Sequence, residues 1–311
     1  MDSLDDVAAP HPNAEIMPAP IPIASATPMS EVVSNLPSLA GRFAGQSVME
    51  ELLREQATRS PRSAMARFWG RSPLSDDARA WYVGALGERA MGRLLGALDD
   101  SWTVIHAVPV GVGTSDIDHV VIGPGGVFTI NTKHHSGKPI WVAGTTFLVS
   151  GQKQPYIRNS EHEATRATKL LRAALPSGAK TLPVGVDAVP LIALIDPRTL
   201  TIKKPPSHVI VRDARTLVRW LRKRPVVLDT NQVAVVGAAA LQPQTWHGAP
   251  TRGPERAVTI AGFERLDREV RSARSRRRLW ALVGAIVMIA ALFTVVPLAV
   301  QAIFNALLGV G

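Results

Sequence analysis

The sequence predicts an α/β domain, a mixed sheet flanked by helices, followed by one helix long enough to cross a membrane. Three observations carry this. Between residues 80 and 241, runs rich in β-branched residues alternate with amphipathic stretches. The first strands follow one another as hairpins and the later ones are separated by helices, an order that suits a sheet with antiparallel and parallel neighbours. From Leu279 to Gly311 no residue is charged.

Residues 41–79 hold a helical lead-in, VMEELLREQATRS, and then a polar joint, GRSPLSDD, in which Asp76 or Asp77 is placed to cap the next helix, AWYVGALGERAMGRLLGAL. WTVIHAVPV (102–110) reads as a strand. IDHVVIG and GVFTINTK read as two more, joined by Gly123-Pro124-Gly125-Gly126. PIWVAG and TFLVS form a short hairpin. NSEHEATRATKLLRAAL (159–175) is a helix capped by its Asn or Ser. VPLIALI (189–195) and HVIVR (208–212) are strands, DARTLVRWLRKR (213–224) is an amphipathic helix with Trp220 in its core face, and Asp229 or Thr230 starts a last one through Leu241. The domain is expected over 80–245.

Outside it, residues 1–40 are rich in Pro and Ala without periodicity and are expected to be disordered, with no secretory signal. Residues 246–278 read as a Pro/Gly-rich linker (246–262) and a basic juxtamembrane helix, 279–303 as the transmembrane helix and 304–311 as a short tail. A helix of about 20 apolar residues spans a bilayer, and LWALVGAIVMIAALFTVVPLAVQAI has 25. The arginines of RSARSRRR (271–278) precede it, so the positive-inside rule puts the N-terminal domain in the cytoplasm of a single-pass protein. Arg265, Arg268, Arg271 and Arg274 recur every third residue and suit anionic headgroups. The 311 residues carry a formal charge of +10, which favours polyanions, and no cysteine, which excludes disulfides and thiolate metal sites. The bias towards Ala, Arg and Gly is that of a GC-rich bacterial genome.

The chemistry gathers in DIDHVVIGPGGVFTINTKHHSG (116–137). With a four-residue loop at 123–126, Ile122 pairs with Val127, so Asp118 falls opposite Asn131 and Asp116 opposite Lys133. Alternation puts those four on one face and turns Ile117, Phe128, Ile130 and a packed His119 the other way. On the preceding helix Glu88 shares a stripe with Trp81, Gly84, Ala85, Gly92 and Leu95, where a carboxylate wants a partner or a metal. Oxygen ligands beside a lysine suit a hard cation at a phosphate. An ordinary Asp116–Lys133 salt bridge satisfies the same spacing, so spacing alone leaves both readings open. His134 and His135 read as a solvated strand end or as helpers of the site. Lys153, Arg158, Arg166, Lys169 and Arg172 offer phosphate contacts or a plain solvated helix face.

From GERAMGRLL through DIDHVVIGPGGVFTINTKHHSG to NSEHEATRATKLL the chain resembles the NERD (nuclease-related) domain, a family similar to the PD-(D/E)XK nucleases of restriction-endonuclease-like fold. The resemblance implies a metal-dependent nuclease, with Mg²⁺ or Mn²⁺ as cofactor and nucleic acid, DNA before RNA, as partner. Glu88 then corresponds to the helix acid, Asp118 to the D of the PD motif, and Asn131-Thr132-Lys133 to the (D/E)XK motif. Glu88, Asp118 and Asn131 would hold the metal and Lys133 would serve the water. Glu163 falls where such nucleases carry a helical Gln or Glu. The sequence departs from the pattern at Asn131, where an amide replaces a carboxylate. That leaves a second expectation, a non-catalytic nucleic-acid-binding or membrane scaffold module on the same fold.

Overall fold

The computed structural model describes residues 38–111, 115–175, 186–247 and 255–309. The unstructured lead expected over 1–40 lies outside the described residues as far as position 37, as does 248–254 of the expected linker.

Nine strands among the described residues form two mixed sheets. The larger contains β1 (Thr103–Pro109), β2 (Asp116–Gly123), β3 (Gly126–His134), β7 (Ala188–Ile195) and β9 (Ile210–Asp213). They lie in the order β1-β2-β3-β7-β9. The first three are antiparallel, and β7 and β9 join parallel to β3. The smaller sheet has the order β6-β5-β4-β8, from β4 (Pro139–Ala143), β5 (Thr146–Val149), β6 (Gln152–Gln154) and β8 (Thr199–Lys204). Strands β6 and β8 are the two not anticipated. Both are short, mostly exposed edges, QKQ and TLTIKK, held by backbone pairing and, in β8, by Leu200 alone against the core.

The helices are α1 (Gln46–Ala57), α2 (Ala64–Phe68), α3 (Asp76–Leu95), α4 (Tyr156–Ala174), α5 (Ala214–Arg222), α6 (Thr230–Ala240), α7 (Pro243–Trp246) and α8 (Arg256–Leu308). Local chemistry sets their ends. Ser75, not Asp76 or Asp77, caps α3 by accepting from the Ala78 N–H; the two aspartates occupy the first turn, where they complement the helix dipole. Helix α4 begins three residues before the expected Asn159, after Pro155, whose carbonyl accepts the Asn159 N–H. Asp229 and Gln232 form a reciprocal capping box on α6.

Helices α4, α6 and α7 cover one face of the large sheet, packing Ala167, Leu171, Val236 and Trp246 against Val120, Ile122 and Val127. Helices α3 and α5 cover the other, with Met91, Leu95 and Leu217 against Val121, Phe128 and Ile130. The expected lead-in and the basic juxtamembrane helix are both docked onto the domain. Met49 and Leu52 of α1, Tyr82 and Ala85 of α3, and Phe263, Leu266 and Val270 of α8 share one core. The Tyr82 hydroxyl donates to Asp267 at 2.6 Å, and Arg62 pairs with Glu269 at 2.8 Å. Helix α8 therefore starts inside the segment read as a linker, runs 53 residues without a break, and its early arginines share their side with acids of the same helix, as in the Arg271–Asp267 pair. Beyond Arg278 it is uncharged. Its most apolar window has a mean hydropathy of 2.6 and none of that window is buried, which makes it a candidate membrane span.

Candidate active site

The β2–β3 ladder follows the expected register from Gly123↔Gly126 through Ile122↔Val127 to His119↔Ile130. There it ends. Beyond that point β2 stays with β1, pairing Ile117 with Val108 and Asp116 with Pro109. Strand β3 stays with β7, pairing Asn131 with Ile192 and Lys133 with Leu194. The two strands part at Asp118 and Asn131, so the direct opposition expected of Asp116 and Lys133 is replaced by a fork. The Asp118 carboxylate fills it, accepting the Thr132 N–H at 2.6 Å. The β1 residue opposite Asp118 is Ala107, at φ +49°. With the pleat broken there, Ile117 joins the core on the α4 side rather than Phe128 and Ile130. His119 turns away as expected; it is fully buried and its Nδ1 lies 2.9 Å from that of His106.

Four acids and one lysine converge on the fork. Asn131 donates through Nδ2 to Glu163 Oε2 at 3.0 Å, which brings α4 to the strand. Lys133 Nζ stands 5.0 Å from the centre of the Tyr156 ring at the start of α4. Glu88 comes from α3 across the end of the sheet and accepts the Gly45 N–H. Helix and strand approach closely because residue 87 is glycine: a Cβ there would stand 2.8 Å from the His134 Cβ. Asp116 accepts from Ser47 and faces the Arg42 guanidinium.

The electrostatics show how tightly these acids are placed. Burial, then Asp118 and Asp116, push Glu88 well above the usual carboxylate range. Burial pushes Asp118 up to about 6, with Asp116 adding to the rise and Lys133 opposing it. Glu163 is pushed up to about 8 by burial and by the Asp118 charge. Burial raises Asp116 as well. Buried oxygens of Glu88 (Oε2), Asp116 (Oδ2), Asn131 (Oδ1) and Glu163 (Oε1) have no hydrogen-bond partner among the described residues. A buried polar atom left unpaired costs about 1–3 kcal/mol, so four in one cluster make this the candidate ligand site. The donors are all oxygen, the chemistry of Mg²⁺ or Mn²⁺. Among the described residues no three His, Asp or Glu side chains form a ready cage for a metal ion. Mg²⁺ commonly binds through one or two carboxylates, waters and substrate phosphate, and the donor set fits that mode.

The sequence reading missed the part played by the start of α1 and the loop before it, Arg42, Gly45 and Ser47, and that of Tyr156; a Gly at a helix N-cap and a Ser in its first turn give no signal of what they touch. His134 Nδ1 faces the Val83 carbonyl at 3.2 Å, while His135 stacks on Tyr156 and is lowered to about 4 by burial and nearby Lys138 and Lys133. Lys153 is exposed on β6. Arg158, Arg166 and Lys169 are exposed on α4 and, at about 100° per residue, fall on one side of it. Arg172 is paired with Asp187 at 2.8 Å.

Residues 83–194, from α3 to the end of β7, match the family model of the nuclease-related domain. Over that span the chain is similar to the NERD family. The matched span contains Glu88, Asp118, Asn131, Lys133 and Glu163. No curated protein and no solved structure gives a significant match. Outside the matched span, the loop before α1 and the start of α1 complete the surroundings of Glu88 and Asp116 through Arg42, Gly45 and Ser47.

Proposed function

We propose that the protein is a membrane-anchored, divalent-cation-dependent phosphodiesterase of nucleic acid, DNA before RNA, with its NERD domain on the cytoplasmic side. The observation that carries this is the fork: a buried Asp118 between parted strands, with unpartnered oxygens of Glu88, Asp116, Asn131 and Glu163 around it. Asp118, Asn131 Oδ1 and Glu88 would hold Mg²⁺ or Mn²⁺, joined by Glu163. The bound cation would supply Lewis-acid polarisation of phosphate oxygen and an acidified water. Lys133, held beside Tyr156, places an ammonium where it can donate to a phosphate oxygen or orient the attacking water. Glu163 reaches the strand position left neutral by Asn131 and so returns a carboxylate to the site from α4. Arg158, Arg166, Lys169 and Lys153 would neutralise backbone phosphates without reading sequence.

The sequence of α8 supports the proposed side and anchor. Its apolar half begins after Arg276, Arg277 and Arg278, the arrangement of a cytoplasmic flank. Protease added outside intact cells should leave the domain whole.

The test is cleavage of plasmid DNA and of RNA by the full chain in detergent with Mg²⁺, Mn²⁺ or chelator. Cation-dependent cutting that Asp118→Ala and Lys133→Ala both abolish supports the reading; cutting that survives both removes these residues from the chemistry. A second reading, a binding module without catalysis, is favoured by the absence of a three-acid cage among the described residues. It predicts binding that persists in chelator and weakens steeply with salt.

A further inference from the structure

The domain leans on α8 at a second place, far along the chain from the fork. Helix α2 is short, and Met65, Phe68 and Trp69 at i, i+3 and i+4 share one side. They are 65%, 50% and 51% exposed. The turn that bears them is firmly seated. Gly70, at φ +70°, lies so close to α8 that a Cβ would stand 2.6 Å from the Ala273 carbonyl oxygen. Arg276 donates to the Arg67 carbonyl at 3.0 Å and the Trp280 indole N–H to the Phe68 carbonyl at 2.9 Å. The Phe68 and Trp69 rings stand 4.8 and 4.7 Å from the Trp280 ring.

The level of this patch is set by the sequence. Arg278 is the last charged residue before the apolar run, and Trp280 is the second residue within it. Side chains stacked on Trp280 stand where headgroups meet hydrocarbon, the depth that Trp favours. Exposed Arg67, Arg71, Arg276, Arg277 and Arg278 are grouped about the patch. Two copies of the protein meeting there would oppose like charges, whereas an anionic leaflet is complementary.

We propose that Met65, Phe68 and Trp69 form a foot that rests in the headgroup layer of the bilayer α8 spans, with the surrounding arginines on anionic lipid. This rests on the reading of α8 as a membrane span. A single helix leaves a domain free to swivel; a second contact off the helix axis fixes which side of the domain faces away from the lipid.

The test uses the full chain reconstituted into phosphatidylcholine vesicles, with and without phosphatidylglycerol. The fluorescence difference between wild type and Trp69→Phe isolates Trp69. Lipids brominated near the headgroup end of the chain should quench that component and acrylamide should reach it poorly, more so with phosphatidylglycerol present. Met65→Glu should leave the chain in the vesicles and return Trp69 to water. A chain that floats with the vesicles while Trp69 stays open to acrylamide and untouched by brominated lipid overturns the foot alone. Shielding from both quenchers assigns the patch to a second protein copy and overturns it too. Failure to float at all contradicts the span itself, and the foot with it.

Discussion

Asn131, on β3, donates its amide to Glu163, on α4, at 3.0 Å, and so joins the strand to a carboxyl group from the neighbouring helix. The amide keeps its own oxygen unpartnered, as Glu163 keeps Oε1. Each pair of atoms then has one member spent on the other and one left for a ligand.

This pairing makes stability depend on pH. Glu163 holds its proton up to about 8 in the folded chain, against an ordinary value of 4.5. The folded state therefore binds more protons than the unfolded one between those limits, and stability falls as pH rises through that window. Asp118 acts in the same sense between 3.8 and about 6. In chelator the melting temperature of the protein should fall from pH 6 to pH 8, the upper part of the Glu163 window, and Glu163→Gln should remove much of that fall. Divalent cation should raise the melting temperature more at pH 8 than at pH 6. Melting curves in buffered chelator, with and without Mg²⁺, read both.

Asn131→Asp places a carboxylate where the proposed cation site has an amide. Without cation it sets a second acid against Glu163 and gives up the hydrogen bond, at a cost of about 1–3 kcal/mol. With Mg²⁺ or Mn²⁺ it should bind the ion more tightly and cut faster. A variant that neither loses stability in chelator nor gains cleavage with cation would show that position 131 does not face the ion.

Gly87→Ala should destabilise the domain by about 1–3 kcal/mol through overpacking. The new Cβ would press on His134 and part α3 from β3. Because Glu88 is the next residue, cleavage should fall as well. Denaturant unfolding and plasmid cutting on the same preparation test the link between packing and site.

The exposed cations of α4 should act through phosphate alone. Arg158→Ala or Lys169→Ala should weaken nucleic-acid binding alike for all sequences and lower the salt slope by roughly 1 each. Filter binding over a salt series measures it, and a sequence-selective loss would contradict it.

The main sheet was largely legible in the sequence because its strands are apolar and its turns are marked. GPGG marked the hairpin register, and DID and NTK marked the candidate site. Two things were not legible. The fork depends on β2 following β1 while β3 follows β7, a choice made by tertiary pairing rather than by either strand. The lead-in and the early part of α8 looked like attachments because each is ordinary amphipathic helix alone; their shared core with Tyr82 and Phe263 exists only once they meet. Glu163 was visible only as a helix acid, since nothing in its local sequence says that it reaches Asn131.

The most direct test is the binding of Mn²⁺ to the full chain at neutral pH, measured calorimetrically in buffers of different ionisation heat. The account predicts saturable binding with proton release, because Glu163 is pushed up to about 8 and must lose its proton to a bound cation. Asp118→Ala should abolish the binding and Glu163→Gln should reduce the protons released. No saturable binding, or binding that Asp118→Ala leaves intact, would contradict it.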